Sequence, residues 1–392
     1  MSKITKIETE KLAQMQQETE KVAIYYGKES VTYERLQKDV NGVVKQLQEF
    51  EVKKENRLFL FMDNPYLKIV TVLAANQLQC GVIPYFETVV PEFHYDEHSQ
   101  YLIVVADEKS TGKLVAANIS YKPVQLLTED EAVENLLSYQ KELTYGTYEL
   151  SDSKHITFFE EQIEGNVTEQ ADACGMKEGE SICINGVKDA KLYLEEIFGA
   201  LMRQTCIYSL QKNLEMNPMD YLKQIAKKQI GIINLTPFVV KYFKRFKDEE
   251  SFGEESIFNS IHHFILIGEE TKEEVATFLA QYSEKITQYP SKVRRRDFDE
   301  ELPALDMKER YILELVYQFL QDVVTVDLSE LNVEDELVSW GVTSLYFVQM
   351  VVQLENILDI EFEDDVFDLA SFENLLLLEK CITRQWMEMK EL

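Results

Sequence analysis

The sequence predicts an α/β domain followed by a small all-α bundle. In the first part of the chain, short β-branched and aromatic runs alternate with helical patterns, which is typical of mixed or mostly parallel sheets with flanking helices. The C-terminal part shows only helical periodicity, in four stretches, which indicates a four-helix bundle. A charged segment containing Pro303 separates the two. We therefore place the domains at 1–290 and 306–392, with a linker at 291–305.

Composition narrows the classes of partner. The chain has 392 residues, of which 45% are hydrophobic and 28% charged, as in ordinary globular proteins. Its net charge of −30 argues against nucleic acid and anionic membrane surfaces, and it favours partners with basic patches. No run of about 18 apolar residues predicts a membrane span. The N-terminal residues lack the apolar core of a signal peptide, so we expect a cytoplasmic protein.

The cysteines and histidines do not predict a metal site. The five cysteines contain no C-x-x-C pair, and we expect buried, reduced thiols. His262 and His263 are adjacent, so in a strand they would point to opposite faces, and we expect them to flank a buried strand.

The N-terminal domain divides into alternating elements. A polar helix is predicted over Ile7–Glu20, and a hairpin turn at Gly27–Glu29. Thr32 is the predicted N-cap of the next helix. Further predicted elements are a strand at Arg57–Met62, a helix at Tyr66–Leu78, and strands at Gly81–Phe86 and Tyr101–Ala106.

The C-terminal domain is predicted to contain helices at Met307–Val323, Tyr346–Ile360, Glu363–Phe367 and Ser371–Arg384. In the second helix, apolar residues spaced three and four apart predict one buried face. These residues are Leu345, Val348, Val351, Val352, Leu354, Ile357 and Leu358. The tail around Trp386 could dock or fray.

Ser344 allows two interpretations. It lies where an N-cap or first-turn residue would lie, so it could simply cap a helix. A helix N-terminus also presents free N–H groups and a positive dipole end, which favour a phosphate ester there.

A sequence motif around Ser344 helps to choose between the helix cap and the phosphate ester. The pattern Asp335…Leu337…Trp340-Gly341-x-x-Ser344-Leu345, with Leu354-Glu355 further on, resembles the core motif of peptidyl and acyl carrier proteins. The resemblance implies that a phosphopantetheinyl transferase loads Ser344 covalently with 4′-phosphopantetheine, whose thiol then carries a thioester. The sequence departs from the family at Val342 and Thr343, which affects the choice of transferase and partner.

The N-terminal domain resembles adenylation domains of nonribosomal peptide synthetases and related adenylate-forming enzymes over most of residues 20–290. The motifs that carry the resemblance are Val31–Leu36, Asp63-Asn64-Pro65, Gly81–Pro84, Met176–Ile184, Glu196–Leu201, Tyr221–Pro237 and Phe264–Glu270.

Departures from that family imply a catalytically inactive domain. Where the family has a phosphate-binding loop rich in small residues and a lysine, the segment His155–Asn166 has one glycine, three carboxylates and no lysine. Gly165–Thr168 could be a remnant of that loop, but we do not expect it to bind phosphate. Tyr289-Pro290-Ser291 is interpreted as the remnant of the motif that helps to hold magnesium. Alternatively, Lys292 begins the family's late catalytic-lysine motif. The ribose-binding motif and nearly all of the C-terminal subdomain are absent on either alignment.

Asp189 also has two interpretations. It could match the aspartate that binds a substrate amino group in the family, but its distance to Glu196 is slightly longer than the family pattern. A surface turn is the interpretation we favour. We therefore predict no catalytic residue in the chain.

The C-terminal domain is strongly acidic. Residues 306–392 carry 20 acidic and 5 basic side chains, a net charge of −15. Either this reflects a generally acidic proteome, or it forms a face that steers basic partners. The predicted docking residues are Leu345, Glu355, Asp364 and Asp365.

The combined prediction is a carrier protein of a nonribosomal peptide or related thioester assembly line. A separate adenylating enzyme would load it, it would serve downstream synthetase domains, and its inactive domain would be a docking platform. The alternatives are a minimal self-loading adenylating ligase, and a non-catalytic interaction or regulatory subunit whose Ser344 stays unmodified.

Overall fold

A computed structural model describes most of the chain. The described residues are 21–86, 92–93, 102–127, 136, 144–150, 155–162, 167–184, 189–210, 217–236, 239–242, 258–267, 273–283, 285–289, 302, 304–323, 332–358, 360–362, 369, 372 and 374–390. The helices predicted at Ile7–Glu20 and Glu363–Phe367 lie outside them.

Sheet A is a seven-stranded sheet with the strand order β14-β13-β12-β10-β11-β1-β2. Its strands are β1 (Val22–Tyr26), β2 (Glu29–Thr32), β10 (Ser181–Cys183), β11 (Cys206–Ser209), β12 (Ile232–Leu235), β13 (His263–Ile267) and β14 (Ile286–Tyr289). All neighbours pair in parallel except β1 and β2. These two form the predicted hairpin, and Gly27 supplies the positive φ of 57° that its turn requires.

Sheet B has the order β5-β9-β8-β4-β3-β6-β7. Its strands are β3 (Arg57–Phe61), β4 (Gly81–Pro84), β5 (Glu92–Phe93), β6 (Leu102–Ala106), β7 (Lys122–Pro123), β8 (Thr144–Leu150) and β9 (His155–Gln162). Only β8 and β9 pair antiparallel. The prediction of mixed, mostly parallel sheets is therefore confirmed.

Helices flank both sheets and form the C-terminal domain. They are α1 (Tyr33–Glu49), α2 (Pro65–Gln77), α3 (Glu108–Ala116), α4 (Val167–Ala173), α5 (Ala190–Met202), α6 (Pro218–Lys228), α7 (Glu273–Ala280), α8 (Met307–Val323), α9 (Ser344–Leu358) and α10 (Leu375–Lys390). A short helical segment also spans 239–242. The predicted cap of α1 is confirmed, since Thr32 Oγ1 accepts a hydrogen bond from the Arg35 N–H at 3.2 Å.

Alternate residues of sheet A face two different cores, as the pleat of a strand requires. Ile182, Ile232 and Ile265 pack with one face of sheet B and with α1, α2, α4 and α5. On the opposite face, Cys183 and Phe264 pack with α6, α7 and the helices of the C-terminal domain. The C-terminal domain therefore covers the helices on the outer face of sheet A.

The last helix differs from its prediction at both ends. It begins at Leu375 rather than at Ser371, because Asn374 Oδ1 accepts a hydrogen bond from the Leu377 N–H at 3.0 Å and caps the helix. It continues past Arg384 to Lys390. Trp386 is buried near Tyr311, with ring centroids 5.7 Å apart, so the tail docks.

Candidate functional site

The loop before α9 is held in place by backbone and side-chain contacts. The Asn332 N–H donates to Asp335 Oδ2 at 3.0 Å, and the Val342 N–H donates to the Leu337 carbonyl at 3.3 Å. Gly341 adopts a φ of 79°, a conformation that favours glycine. Trp340 is fully buried and anchors the loop in the core. These contacts fix where α9 begins.

Thr343, and not Ser344, caps this helix. The Thr343 Oγ1 accepts a hydrogen bond from the Tyr346 N–H at 3.3 Å, and the Thr343 carbonyl accepts the Phe347 N–H at 2.9 Å. Ser344 is the first helical residue. The interpretation of Ser344 as a simple cap is therefore wrong, because the preceding threonine already occupies that role.

The Ser344 side chain is exposed, and among the described residues its hydroxyl has no hydrogen-bond partner. The first N–H groups of a helix have no intrahelical acceptor and lie at the positive end of the helix dipole. A phosphate ester on Ser344 Oγ would lie near these groups. The residues present at this position therefore fit a phosphate-linked group.

The prediction of a single buried face on α9 is wrong in part. The buried residues are Phe347, Met350, Leu354, Ile357 and Leu358. Leu345, Val348 and Val352 are instead 65%, 55% and 48% exposed, and Val351 is partly buried. The apolar residues belong to two stripes because Phe347 and Met350 fill the core and turn the other stripe outward.

We call Leu345, Val348 and Val352 the exposed stripe. Their spacing of three and four places them on one side of α9, and the stripe begins next to Ser344. Apolar side chains grouped in this way are typical of surfaces that bind another protein.

The predicted docking residues differ in their surroundings. Leu345 belongs to the exposed stripe. Glu355 is half-buried, and its Oε1 accepts a hydrogen bond from the Phe362 N–H at 2.9 Å, so this carboxylate also holds the chain after α9. Asp364 and Asp365 lie outside the described residues.

A buried polar pair lies on the inner side of sheet A. Asn234 Nδ2 donates to Glu196 Oε2 at 2.9 Å and to the Cys183 carbonyl at 3.1 Å. Burial raises the pKa of Glu196 to about 8, against a smaller lowering by the Asn234 hydrogen bond. At neutral pH the Glu196 carboxyl is therefore mainly protonated and uncharged.

Asp189 is half-buried directly before a helix, and residues 185–188 lie outside the described residues. It is the N-cap of α5, and its Oδ1 accepts a hydrogen bond from the Leu192 N–H at 2.8 Å. This contact gives Asp189 a structural role. Of residues 155–166, where the family resemblance implies a phosphate loop, 155–162 form the strand β9 and 163–166 lie outside the described residues. Ser291 and Lys292 lie outside the described residues.

The adjacent histidines have different partners, as their predicted opposite orientation requires. His262 Nε2 lies 2.6 Å from Glu180 Oε2, and His263 Nε2 lies 2.8 Å from Thr287 Oγ1. His263 is buried at the start of β13, and desolvation lowers its pKa to about 4.

The five cysteines are free thiols. Cys80, Cys174 and Cys183 are buried as predicted, but Cys206 and Cys381 are only partly buried. Within the described part of the chain, no group of histidine, cysteine and carboxylate side chains could hold a metal ion. The same residues include no helix with the length and apolar character of a membrane span.

The fold and site define a protein with an adenylation-like α/β domain and a helical phosphopantetheine attachment domain. Residues 314–378 match the family model described as "Phosphopantetheine attachment site". In this family 4′-phosphopantetheine is attached covalently to the protein. A search of curated proteins returned no match.

Solved structures show the fold of the N-terminal part. The chain is similar to o-succinylbenzoate CoA synthetase from Bacillus subtilis, with 15% identity, a TM-score of 0.52, and coverage of 69% of this chain and 56% of that one. It is similar to an artificially fused adenylation–PCP didomain synthetase from Klebsiella oxytoca, with 12% identity, a TM-score of 0.51, and coverage of 72% and 53%. The chain thus spans a little over half the length of these two proteins.

A third structure is matched over more of its length. The N-terminal domain of FACL13 from Mycobacterium tuberculosis has 14% identity and a TM-score of 0.55, with coverage of 72% of this chain and 74% of that domain. At identities this low, the similarity supports a conclusion about the fold only.

Sequence reasoning missed two features of the sites. Thr343 and Ser344 are both residue types favoured as helix caps, so the sequence offers two candidates, and the structure shows that Thr343 is the cap. The Glu196–Asn234 pair joins residues 38 positions apart, and no local pattern indicates it.

Proposed function

We propose that this chain is a carrier protein and that Ser344 is the residue that receives 4′-phosphopantetheine. The observation that carries the proposal is the exposed Ser344 hydroxyl at the first residue of α9, with the cap supplied by Thr343. Ser344 also lies inside the segment that matches the phosphopantetheine attachment family.

The surroundings of Ser344 suit this role. The N-terminal end of α9 stabilises negative charge, which favours the phosphodiester. When bound, the group supplies a thiol on which an aminoacyl or acyl cargo is held as a thioester. The buried Trp340 and the Gly341 turn hold Ser344 at a fixed place on the surface, where a transferase can reach it.

We further propose that the N-terminal domain does not activate the cargo and that a separate adenylating enzyme loads the carrier. Three features support this. Residues 155–162, the first part of the segment where the family has its phosphate loop, form the strand β9. The Asp189 carboxylate is engaged as a helix cap. Glu196, in the middle of α5, is buried and mainly uncharged at neutral pH.

The proposed partners are a phosphopantetheinyl transferase, the loading enzyme and downstream domains of a nonribosomal peptide or related assembly line. The exposed stripe supplies an apolar contact next to Ser344, and the acidic C-terminal domain favours basic partner surfaces. The five free cysteines fit a reducing compartment such as the cytoplasm.

The test is modification of the full chain by coenzyme A and a broad-specificity phosphopantetheinyl transferase. The intact wild-type protein should gain one phosphopantetheinyl group, and peptide mapping should place it on Ser344. Ser344→Ala should gain none. Ser339→Ala is the matched control, because Ser339 is an exposed serine on the preceding loop, and this variant should be modified like the wild type.

No gain in the wild type with several transferases would refute the carrier proposal and favour the interaction-subunit alternative. ATP–pyrophosphate exchange with a panel of amino acids tests the other alternative. Exchange above background would show that the N-terminal domain activates a substrate, and it would refute loading by a separate enzyme.

A further inference from the structure

The C-terminal domain contacts the N-terminal domain through specific side chains. The rings of Tyr242 and Tyr311 meet edge to face, with centroids 4.8 Å apart. Lys241 forms an ion pair with Glu314 of α8. Asn217, the cap of α6, donates from Nδ2 to the carbonyl of Ile357 at 2.6 Å. Three points of contact thus join α8 and the end of α9 to the outer helix layer of sheet A.

These contacts are largely removed from water. Tyr242 and Tyr311 are buried, and they belong to one continuous apolar core that includes α6 residues and the centre of the C-terminal domain. The Lys241 and Glu314 side chains are 21% and 11% exposed. An ion pair at this burial is screened less than a surface pair, and removing either partner leaves a charge poorly solvated.

The end of the predicted linker belongs to the same contact. Leu302 and Leu305, which the sequence assigns to the linker, are partly buried against this core. The chain immediately before α8 is therefore packed on protein.

The same contacts determine where Ser344 lies. Asn217 holds α9 near its C-terminal end, at Ile357. Ser344 is 13 residues away at the other end of the helix, a distance of about 20 Å along its axis. The buried side of α9 faces its own domain, whereas the exposed stripe beside Ser344 remains open.

We propose that α6 and segment 239–242 form a docking surface for the carrier domain of the same chain, which stays bound there in solution. This inference rests on the proposed carrier function, and it deepens the docking-platform role predicted from the sequence by naming the domain that is docked. The docked carrier presents Ser344 and the exposed stripe outward, so enzymes in other chains come to a stationary carrier. The docking does not depend on whether Ser344 is modified.

The experiment uses small-angle X-ray scattering and amide hydrogen exchange on the full chain. Wild-type scattering should fit one compact arrangement. Lys241→Glu places two carboxylates together, so the radius of gyration should rise, and exchange in α6 and α8 should become about tenfold faster or more. The double variant Lys241→Glu/Glu314→Lys restores an opposite-charge pair and should restore both quantities.

Lys227→Glu is the matched control, since Lys227 is an exposed residue in the last turn of α6. It should behave like the wild type. An extended or broad wild-type distribution would overturn the docking proposal. So would a Lys241→Glu protein identical to the wild type, or a double variant that stays undocked. The phosphopantetheine mass gain is measured separately, so failure of docking and failure of the carrier role are distinguishable.

Discussion

Glu196→Gln should make the protein more stable at neutral and alkaline pH. The Glu196 carboxyl is fully buried, and burial raises its pKa from 4.5 to about 8. The folded state therefore keeps the proton through a pH range in which the unfolded state has released it. An amide is neutral in both states, and its oxygen can still accept the hydrogen bond from Asn234.

The sign and magnitude follow from proton linkage. Below about pH 4.5 both states are protonated, so the full stability is present. As pH rises from 4.5 towards 8, the free energy of unfolding of the wild type falls by about 1.4 kcal/mol per unit. At pH 7 the loss is about 3 kcal/mol, which is a large share of a typical domain's stability. Glu196→Gln removes this loss.

Urea unfolding of both proteins from pH 4.5 to 8.5 measures the effect. The difference in unfolding free energy, variant minus wild type, should be near zero at pH 4.5 and should reach about 3 kcal/mol at pH 7. Glu49→Gln is the control for the removal of one carboxylate, because Glu49 is an exposed residue at the end of α1. A pH-independent difference for Glu196→Gln would refute the reasoning.

Three further predictions concern the C-terminal domain. Thr343→Ala removes the cap of α9 and should lower the unfolding free energy by about 1 kcal/mol, whereas Thr343→Ser should retain most of it. Trp340→Ala leaves a cavity in the core and should lower the unfolding free energy, measured with urea, by about 3–5 kcal/mol. A loss smaller than about 1 kcal/mol would contradict the anchoring role of Trp340. Val348→Glu on the exposed stripe should change the unfolding free energy by less than about 0.5 kcal/mol. It should slow the modification of Ser344 by a transferase, measured by mass. Unchanged modification kinetics would exclude Val348 from the contact with the transferase.

Local patterns predicted the elements of the fold well. The hairpin at Gly27 and the cap at Thr32 follow from residue types that each conformation requires, and α8 has the predicted bounds Met307–Val323. The end of α10 could not be predicted in this way. It depends on the contact of Trp386 with Tyr311, which lies on a different helix.

The candidate site was predicted only in part, because some of its features also depend on contacts between residues that are distant in the sequence. Periodicity identified α9 but could not say which of its two apolar stripes faces the core, because Leu345 and Phe347 are equally apolar in sequence. The pairing of Lys241 with Glu314 joins residues 73 positions apart, and it follows from the packing of two domains. Ser344 remains a prediction from the motif, to which the structure adds its exposure.

Intact mass of the full chain tests the central proposal most directly, in two stages on the same sample. Coenzyme A and a phosphopantetheinyl transferase are added first, followed by ATP, magnesium and a panel of amino acids. A carrier loaded by a separate enzyme should gain one phosphopantetheinyl group at Ser344 in the first stage and nothing in the second. Absence of the first gain would contradict the carrier role, and a second, aminoacyl gain would contradict the inactivity of the N-terminal domain.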